Sequence, residues 1–279
     1  MDIPKSKSYN YSIAYIILVL STMVLFSLYL AYRPQHLDSF ALAMYFPATI
    51  ALLLQLFYSR SWQAVLAPLI IKISLRSMVF AFLYPLGVIG VLAGGALLLD
   101  IAQINSEFLP TIRAILTPKV LFMTYLLNLG RVLGEEYGWR GFLLEHLSHT
   151  TSRLRATIIV GVVWGLWHSP LLWILAQAYH TPQPILLVSL QLLAVFTFSF
   201  PFAYAYFQDK SIVPPMLLHL TWNLFNPIIL GDIYTNSGGL LTGNVLLING
   251  EALGGVLLSL LCIVWFVKKL PTLSSAGKS

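Results

Sequence analysis

Three short motifs place ionisable and amide side chains inside otherwise apolar segments of the chain. Burying such a group within a membrane costs a few kcal/mol, so these groups usually face the protein interior and serve a function. Carboxylates, imidazoles and a guanidinium in one interior are the components of acid–base chemistry. The residues concerned are Glu135, Glu136, Arg140, His168, His219 and Asn223.

Helical spacing divides these residues into roles. Residues four apart lie on the same face of a helix, so Glu136 can pair with Arg140, and His219 can point in the same direction as Asn223. Glu135 is turned by about 100° from Glu136. One carboxylate can therefore be neutralised by Arg140 while the other remains available to react.

The available residues suit hydrolysis of an amide bond. A desolvated Glu135 is a general base, and His168 can share or relay its proton, so that a water between them becomes a nucleophile. His219 and Asn223 can stabilise the negative oxygen of a tetrahedral intermediate. No serine or cysteine nucleophile is apparent, since the single cysteine, Cys262, lies far along the chain and no G-x-S-x-G occurs.

Other readings of the same residues remain open. Glu136 and Arg140 are expected to be a buried structural pair. Glu135, His168, His219 and Asn223 could be polar contacts that only hold helices together, although four of them on three segments at one depth favour a reactive site. Glu135, His168 and His219 could also bind zinc. We expect a metal-free site, because no H-E-x-x-H zinc helix occurs.

The composition identifies the environment of these motifs. Of the 279 residues, 58% are hydrophobic and 9% are charged, whereas soluble domains carry about 25% charged residues. This excludes a soluble enzyme, a disordered chain and a disulfide scaffold. The net charge of +6 indicates contact with anionic lipid rather than with nucleic acid.

Apolar segments of about 20 residues, the length that crosses a bilayer, carry the motifs. We predict a single all-α integral-membrane domain over residues 1–279, with its motif core at about 119–230 and about eight transmembrane helices around a cytoplasm-facing cavity. The predicted segments are Tyr11–Tyr32, Ser39–Tyr58, Met78–Leu99, Lys119–Leu147, Arg155–Tyr179, Pro184–Phe207, Ile212–Leu230 and Asn249–Val267.

Lysine and arginine predict the orientation, because cytoplasmic loops carry an excess of both. With eight spans the termini share one side, and eleven basic residues lie there against three, Arg33, Arg113 and Lys119, on the other. We therefore expect cytoplasmic N- and C-termini. The eleven are Lys5, Lys7, Arg60, Lys72, Arg76, Arg153, Arg155, Lys210, Lys268, Lys269 and Lys278.

The motifs resemble those of the CaaX-protease and bacteriocin-processing (CPBP, or Abi) intramembrane proteases, which include the Ras-converting prenyl endopeptidase. The family pattern is E-E-x-x-x-R, an aromatic four residues before a His, and H-x-x-x-N, with Trp164 standing here where Phe is more usual. The resemblance covers about Tyr125 to Asn226. It implies an eight-helix fold and a metal-free mechanism in which Glu135 and His168 activate water, His219 and Asn223 stabilise the oxyanion, and Glu136 and Arg140 support the site.

The predicted function is therefore an intramembrane endopeptidase that cuts near the C-terminus of a lipidated, for example prenylated CaaX, or otherwise membrane-associated peptide. In a bacterium the substrate would instead be a bacteriocin precursor or a peptide tied to immunity. A proton-coupled transporter is the main alternative, because buried Glu, His and Arg also form ion relays. A non-catalytic membrane scaffold of the same fold is the third hypothesis.

Overall fold

A computed structural model describes residues 5–59, 61–69 and 73–273. Among the charges used to predict the orientation, Arg60, Lys72 and Lys278 lie outside these residues. The described residues are predominantly helical, which confirms the predicted all-α membrane fold. The helices are α1 (Lys5–Tyr32), a 3-10 helix (Pro34–Tyr45), α2 (Phe46–Ser59), α3 (Trp62–Leu66), α4 (Leu75–Leu98), a short 3-10 turn (Ser106–Phe108), α5 (Leu109–Ile115), α6 (Pro118–Glu136), a π-helical segment (Tyr137–Leu144), α7 (Glu145–Thr150), α8 (Arg153–Ala178), α9 (Pro184–Asp209), α10 (Val213–Leu230), α11 (Val245–Ile248), α12 (Leu253–Lys269) and a final 3-10 turn (Leu270–Thr272).

Within the described ranges, six helical stretches are long and apolar enough to cross a membrane. A seventh is possible if Ser106–Ile115 and Pro118–Thr150, bent by 77°, form one span. The predicted number of about eight is therefore not confirmed. The remaining predicted segment does form a helix, α10, but its polar residues make it less apolar. The six stretches are Ser8–Tyr32, Pro34–Phe57, Leu75–Leu98, Arg153–Ala178, Pro184–Asp209 and Val245–Thr272.

Large apolar side chains cover the outside of the bundle. They occur along α1, α2, α4, α6 and α12, and Leu98 is 89% exposed. Soluble proteins rarely expose contiguous apolar patches of this kind, whereas lipid tails accommodate them. Other examples are Leu25, Phe57, Leu127 and Leu261.

The helices α8 and α9 pack against each other in the interior of the bundle. Helix α10 packs against α4, α6 and α9, and α1 packs against α8 and α7. Local sequence defines several helix ends. Ser74 and Ser152 cap α4 and α8 by accepting hydrogen bonds from the backbone N–H groups of Ser77 and Arg155.

The bundle has two distinct ends. At the end that we call the terminal end, Lys210 Nζ lies 2.6 Å from Glu145 Oε2, and Arg153 donates to the carbonyl of Leu273. At the opposite end, which we call the ribbon end, strand β1 (Ala102–Ile104) pairs antiparallel with β2 (Leu241–Gly243). Six of the eleven basic residues predicted for this side have described side chains, and they lie at the terminal end: Arg76, Arg153, Arg155, Lys210, Lys268 and Lys269.

Two glycines let the helix that carries the first motif approach its neighbours closely. A Cβ added to Gly134 would lie 2.4 Å from the carbonyl oxygen of Met44. A Cβ on Gly138 would lie 2.4 Å from both the Tyr15 hydroxyl oxygen and Pro47 Cβ. These contacts place Glu135 and Glu136 against the interior rather than at the lipid surface.

We expect Gly138→Ala to destabilise the protein by about 1–3 kcal/mol, because backbone and side chains would have to move to admit the methyl group. Gly94→Ala is the matched control, since a Cβ there meets no atom within 4 Å and alanine favours a helix by up to about 1 kcal/mol. Thermal unfolding in detergent should show a lower Tm only for the first variant. Equal Tm values would contradict the close approach.

Candidate active site

A cavity of about 330 Å³ lies within the bundle. All four residues predicted to be catalytic line it, and they come from α6, α8 and α10. Glu136 and Arg140 do not line it; both side chains are fully buried next to it. The residues that line the cavity include Arg131, Glu135, Trp164, His168, Gln191, Phe202, His219, Trp222, Asn223, Asp232, Tyr234 and Glu251.

A buried ionic cluster supports one wall of the cavity. Glu136 Oε1 accepts hydrogen bonds from Arg140 Nη1 at 2.9 Å and from His219 Nδ1 at 2.8 Å. The predicted pairing of Glu136 with Arg140 is present. The contact with His219 ties α6 to α10, and spacing along one helix does not indicate it.

The guanidinium of Arg140 lies between two aromatic rings. Its Cζ is 4.1 Å from the ring centroid of Trp164 and 4.2 Å from that of Phe202. Electrostatic attraction between a cation and a ring face strengthens when both are desolvated. Arg140 is therefore held by its carboxylate partner and by both rings.

Glu135 is held by two indole groups. Trp139 Nε1 donates to Glu135 Oε2 at 3.2 Å, and Trp164 Nε1 donates to the same oxygen at 2.8 Å. In the described part of the chain no donor is hydrogen-bonded to Oε1. Glu135 thus has one oriented oxygen and one that remains available at the cavity wall.

The hydrogen bond of His168 determines which ring nitrogen carries the proton. Nδ1 lies 2.9 Å from the carbonyl oxygen of Trp164. A carbonyl can only accept, so Nδ1 carries a hydrogen and, in the neutral ring, Nε2 is the proton acceptor. The ring of Trp167 lies edge-on to that of His168, 4.7 Å away between centroids.

His219 and Asn223 line the cavity from one face of α10, as their spacing predicts. The His219 ring is buried and packs against Trp164 and Phe202, with centroid separations of 6.0 and 5.5 Å. Glu136 accepts from Nδ1, and within the described residues no hydrogen bond engages the Nε2 atom of His219. Asn223, by contrast, is an exposed residue on α10.

Sequence reasoning missed the π-helical segment Tyr137–Leu144, which begins directly after Glu136. Such segments are rare and often occur at functional sites, because the wider turn redirects the side chains that follow. All eight of its residues are buried. The helix is therefore regular up to the two glutamates and widened beyond them.

Sequence reasoning also missed a second polar group in the cavity. Trp222 Nε1 donates to Glu251 Oε1 at 2.9 Å, and the Tyr234 hydroxyl donates to Glu251 Oε2 at 3.3 Å. Burial raises the pKa of Tyr234 well above its ordinary value, so this hydroxyl stays protonated. The sequence did offer one indication of this group, because Glu251 is an ionisable residue within the predicted apolar segment Asn249–Val267.

The metal-free site stays a prediction. Over residues 5–59, 61–69 and 73–273, no three His, Cys, Asp or Glu side chains are grouped so that they could hold one. Zinc was an alternative for Glu135, His168 and His219. In the structure His219 Nδ1 faces Glu136 instead, and two indoles occupy Glu135 Oε2.

The cavity lies towards the ribbon end. His168 is about 22 Å along α8 from Arg153, well past the middle of a 30 Å hydrocarbon layer. Asp232 and Tyr234, from the loop that follows α10, also line the cavity. Towards the terminal end, Phe142 and Leu144 are fully buried. The predicted opening of the cavity towards the cytoplasm is not confirmed.

The fold and the cavity define an all-α polytopic membrane protein with a polar intramembrane site. Residues 117–225, less than half of the chain, match the family model described as Type II CAAX prenyl endopeptidase Rce1-like. The chain is also 42% identical over 40 residues to CAAX prenyl protease 2 of Methanococcus maripaludis, a stretch that covers 14% of this chain and 15% of that protein. These matches confirm the resemblance that the motifs indicate, within the segment that carries them.

We expect Trp164→Phe to lower stability more than Trp167→Phe. Both changes remove part of a buried ring, but only Trp164 Nε1 has a hydrogen-bonded partner, whereas Trp167 Nε1 has none within the described residues. Losing a donor to a buried carboxylate costs about 1–3 kcal/mol. Comparison of the two Tm values in detergent checks this, and a larger loss for Trp167→Phe would contradict it.

Proposed function

We propose that this protein is an intramembrane endopeptidase that uses a water activated by Glu135 and His168. The observation that carries the proposal is that Glu135, His168, His219 and Asn223, from three helices, line one cavity. The substrate is a membrane-associated peptide, lipidated or not, and the scissile bond lies near its C-terminus. The match to the Rce1-like family supports the same activity.

In the first step the carboxylate of Glu135 takes a proton from water while that water attacks the peptide carbonyl. His168 assists, because its Nε2 accepts a hydrogen bond while Nδ1 is held by the carbonyl of Trp164. A positioned general base contributes about 10²–10⁴-fold to such a reaction. The same groups then return a proton to the leaving amine.

His219 and Asn223 have a different role, which is to stabilise the oxyanion of the tetrahedral intermediate. As an imidazolium, His219 donates through Nε2 while its Nδ1–H donates to Glu136 Oε1. The amide of Asn223 supplies a second donor. The proposed mechanism needs no metal, since the chain's own groups supply the base and the electrostatic stabilisation.

A proton-coupled transporter would need polar groups that lead from the cavity to both faces of the membrane. At the terminal end of the site, Phe142, Leu143 and Leu144 are at most 1% exposed. This closed packing favours an enzyme over a transporter. A non-catalytic scaffold would not require four reactive side chains around one cavity.

The purified full chain, incubated with a farnesylated peptide that ends in a CaaX sequence, should release the C-terminal tripeptide. Glu135→Gln and His168→Ala should each reduce kcat by at least about 10²-fold, because each removes a proton acceptor. Asn223→Ala should reduce kcat by about 10²–10³-fold with little change in KM, since an oxyanion donor acts mainly in the transition state. Mass spectrometry of the products measures all three.

Glu107→Gln is the matched control, because Glu107 is an exposed glutamate outside the cavity. Its rate should equal that of the unchanged protein. Full activity of Glu135→Gln would overturn the glutamate mechanism. If the unchanged protein does not cut the peptide but liposomes that contain it show proton-dependent solute uptake, the transporter is favoured.

The termini are proposed to be cytoplasmic, so that the cavity opens towards the extracytoplasmic face. The Lys/Arg excess at the terminal end supports this orientation. A peptide presented at the outer face of the membrane would then be the substrate in the cell.

Labelling of single cysteines in whole cells checks the orientation. In a Cys262→Ser background, Ser237→Cys, in the loop beside the cavity, should react with a membrane-impermeant maleimide. Thr272→Cys, at the terminal end, should react only after permeabilisation. Both positions are exposed. The reversed labelling pattern would place the cavity on the cytoplasmic side.

A further inference from the structure

The cavity carries more negative than positive side chains. Glu135, Asp232 and Glu251 line it, and Arg131 is the one Lys or Arg side chain among its lining residues. None of these three carboxylates forms a salt bridge within the part of the chain that the structure describes. Cavities lined by charge of one sign concentrate ligands of the opposite sign, because low-dielectric walls focus the field.

Glu251 is fixed in place and is not a mobile surface charge. Its two oxygens accept from Trp222 Nε1 and from the Tyr234 hydroxyl. Its backbone N–H donates to Asn249 Oδ1 at 2.7 Å, and the Asn249 amide donates to the carbonyl of Gly231. These contacts attach the carboxylate to α10 and to the loop that follows it.

Asp232 belongs to the same wall. Its Oδ1 accepts from the backbone N–H of Tyr234 at 2.8 Å. The backbone of Asp232 forms an isolated bridge with that of Ser237. Asp232, in the loop after α10, and Glu251, between α11 and α12, therefore reach the cavity from two hydrogen-bonded segments.

An unpartnered buried acceptor lies next to these carboxylates. Gln191 is completely buried, lines the cavity and donates through Nε2 to the Tyr234 hydroxyl at 3.1 Å. Its Oε1 has no hydrogen-bond partner in the described part of the chain. Leaving a buried acceptor unpaired costs about 1–3 kcal/mol, so a donor from a ligand would remove this cost.

We propose that Glu251, Asp232 and Gln191 form an acceptor subsite that binds an ammonium or guanidinium group of the peptide substrate, such as a lysine or arginine side chain. This inference rests on the proposed function, because the subsite lies in the same cavity as Glu135 and His219. Two carboxylates and an amide oxygen are acceptors, and a cationic side chain brings several N–H donors. The subsite therefore selects which peptides are cut.

The arrangement favours an organic cation over an anion or a metal ion. A substrate carboxylate would meet like charges, whereas a cation gains charge-assisted hydrogen bonds. Asp232 and Glu251 do not belong to any group of three metal-binding side chains within the described residues. A guanidinium or ammonium needs no such convergent geometry.

Matched peptides test the subsite on the full-length protein in detergent. One series of farnesylated peptides carries a single lysine, either directly before the farnesylated cysteine or at one of the three residues after it. The second series carries uncharged norleucine at the same positions. We expect wild type to prefer lysine at one position by about 10-fold in kcat/KM, the size of a modest interfacial ion pair. Glu251→Gln should remove that preference, and Asp232→Asn should weaken it.

The control is Glu107→Gln, which removes an exposed charge outside the cavity and should keep the lysine preference. A wild type with no preference at any position would overturn the subsite. So would a preference that survives in a Glu251→Gln, Asp232→Asn double variant that still folds, as judged by its Tm.

A binding measurement separates failure of the subsite from failure of the protease proposal. Fluorescence anisotropy with the same lysine and norleucine peptides, on the Glu135→Gln variant, reports binding without cleavage. Tighter binding of the lysine peptide supports the subsite even if wild type cuts neither peptide. Cleavage of both peptides at one rate, with equal binding, supports the protease and overturns the subsite.

Discussion

The hydrogen bonds to Glu136 Oε1 are the interaction on which the site depends. One oxygen accepts from Arg140, in the same helix, and from His219, in α10. All three groups are buried, and their mutual hydrogen bonds offset part of the desolvation cost of each. The cluster therefore sets the spacing between α6 and α10, and it aims His219 Nε2 at the cavity. Glu135, one residue earlier, points in a different direction from Glu136, because successive helical residues are about 100° apart.

Trp164 connects this cluster to Glu135. Its N–H donates to Glu135, its ring face meets the guanidinium of Arg140, and its backbone carbonyl accepts from His168 Nδ1. A phenylalanine at this position would keep the ring contact but not the hydrogen bond to Glu135. Tryptophan in place of the more usual phenylalanine thus adds a hydrogen-bond donor to Glu135. The hydrogen bond that orients His168 involves only the backbone carbonyl of residue 164.

The cavity is asymmetric, and this asymmetry bears on how a substrate enters. Buried apolar residues close the terminal end, whereas loops that contain Asp232 and Tyr234 form the wall nearer the ribbon end. The outside of α6 presents exposed leucines to lipid, including Leu126 and Leu127. In the proposed function, a membrane-associated peptide keeps an apolar part among lipid tails while its polar backbone enters the cavity. In the proposed subsite, the excess of carboxylates then discriminates among peptides by charge.

The sequence alone determined the all-α membrane class, the six motif residues and the Glu136–Arg140 pair, because apolar length and i, i+4 spacing are local properties of a chain. It did not determine the contact of Glu136 with His219, the indole donors to Glu135 from two helices, or the entry of Glu251 into the cavity. Those contacts join residues far apart in sequence, so helix packing decides them. Packing also decided the end of the bundle at which the cavity lies, because the depth of a residue within a helix does not specify which neighbouring loops surround it.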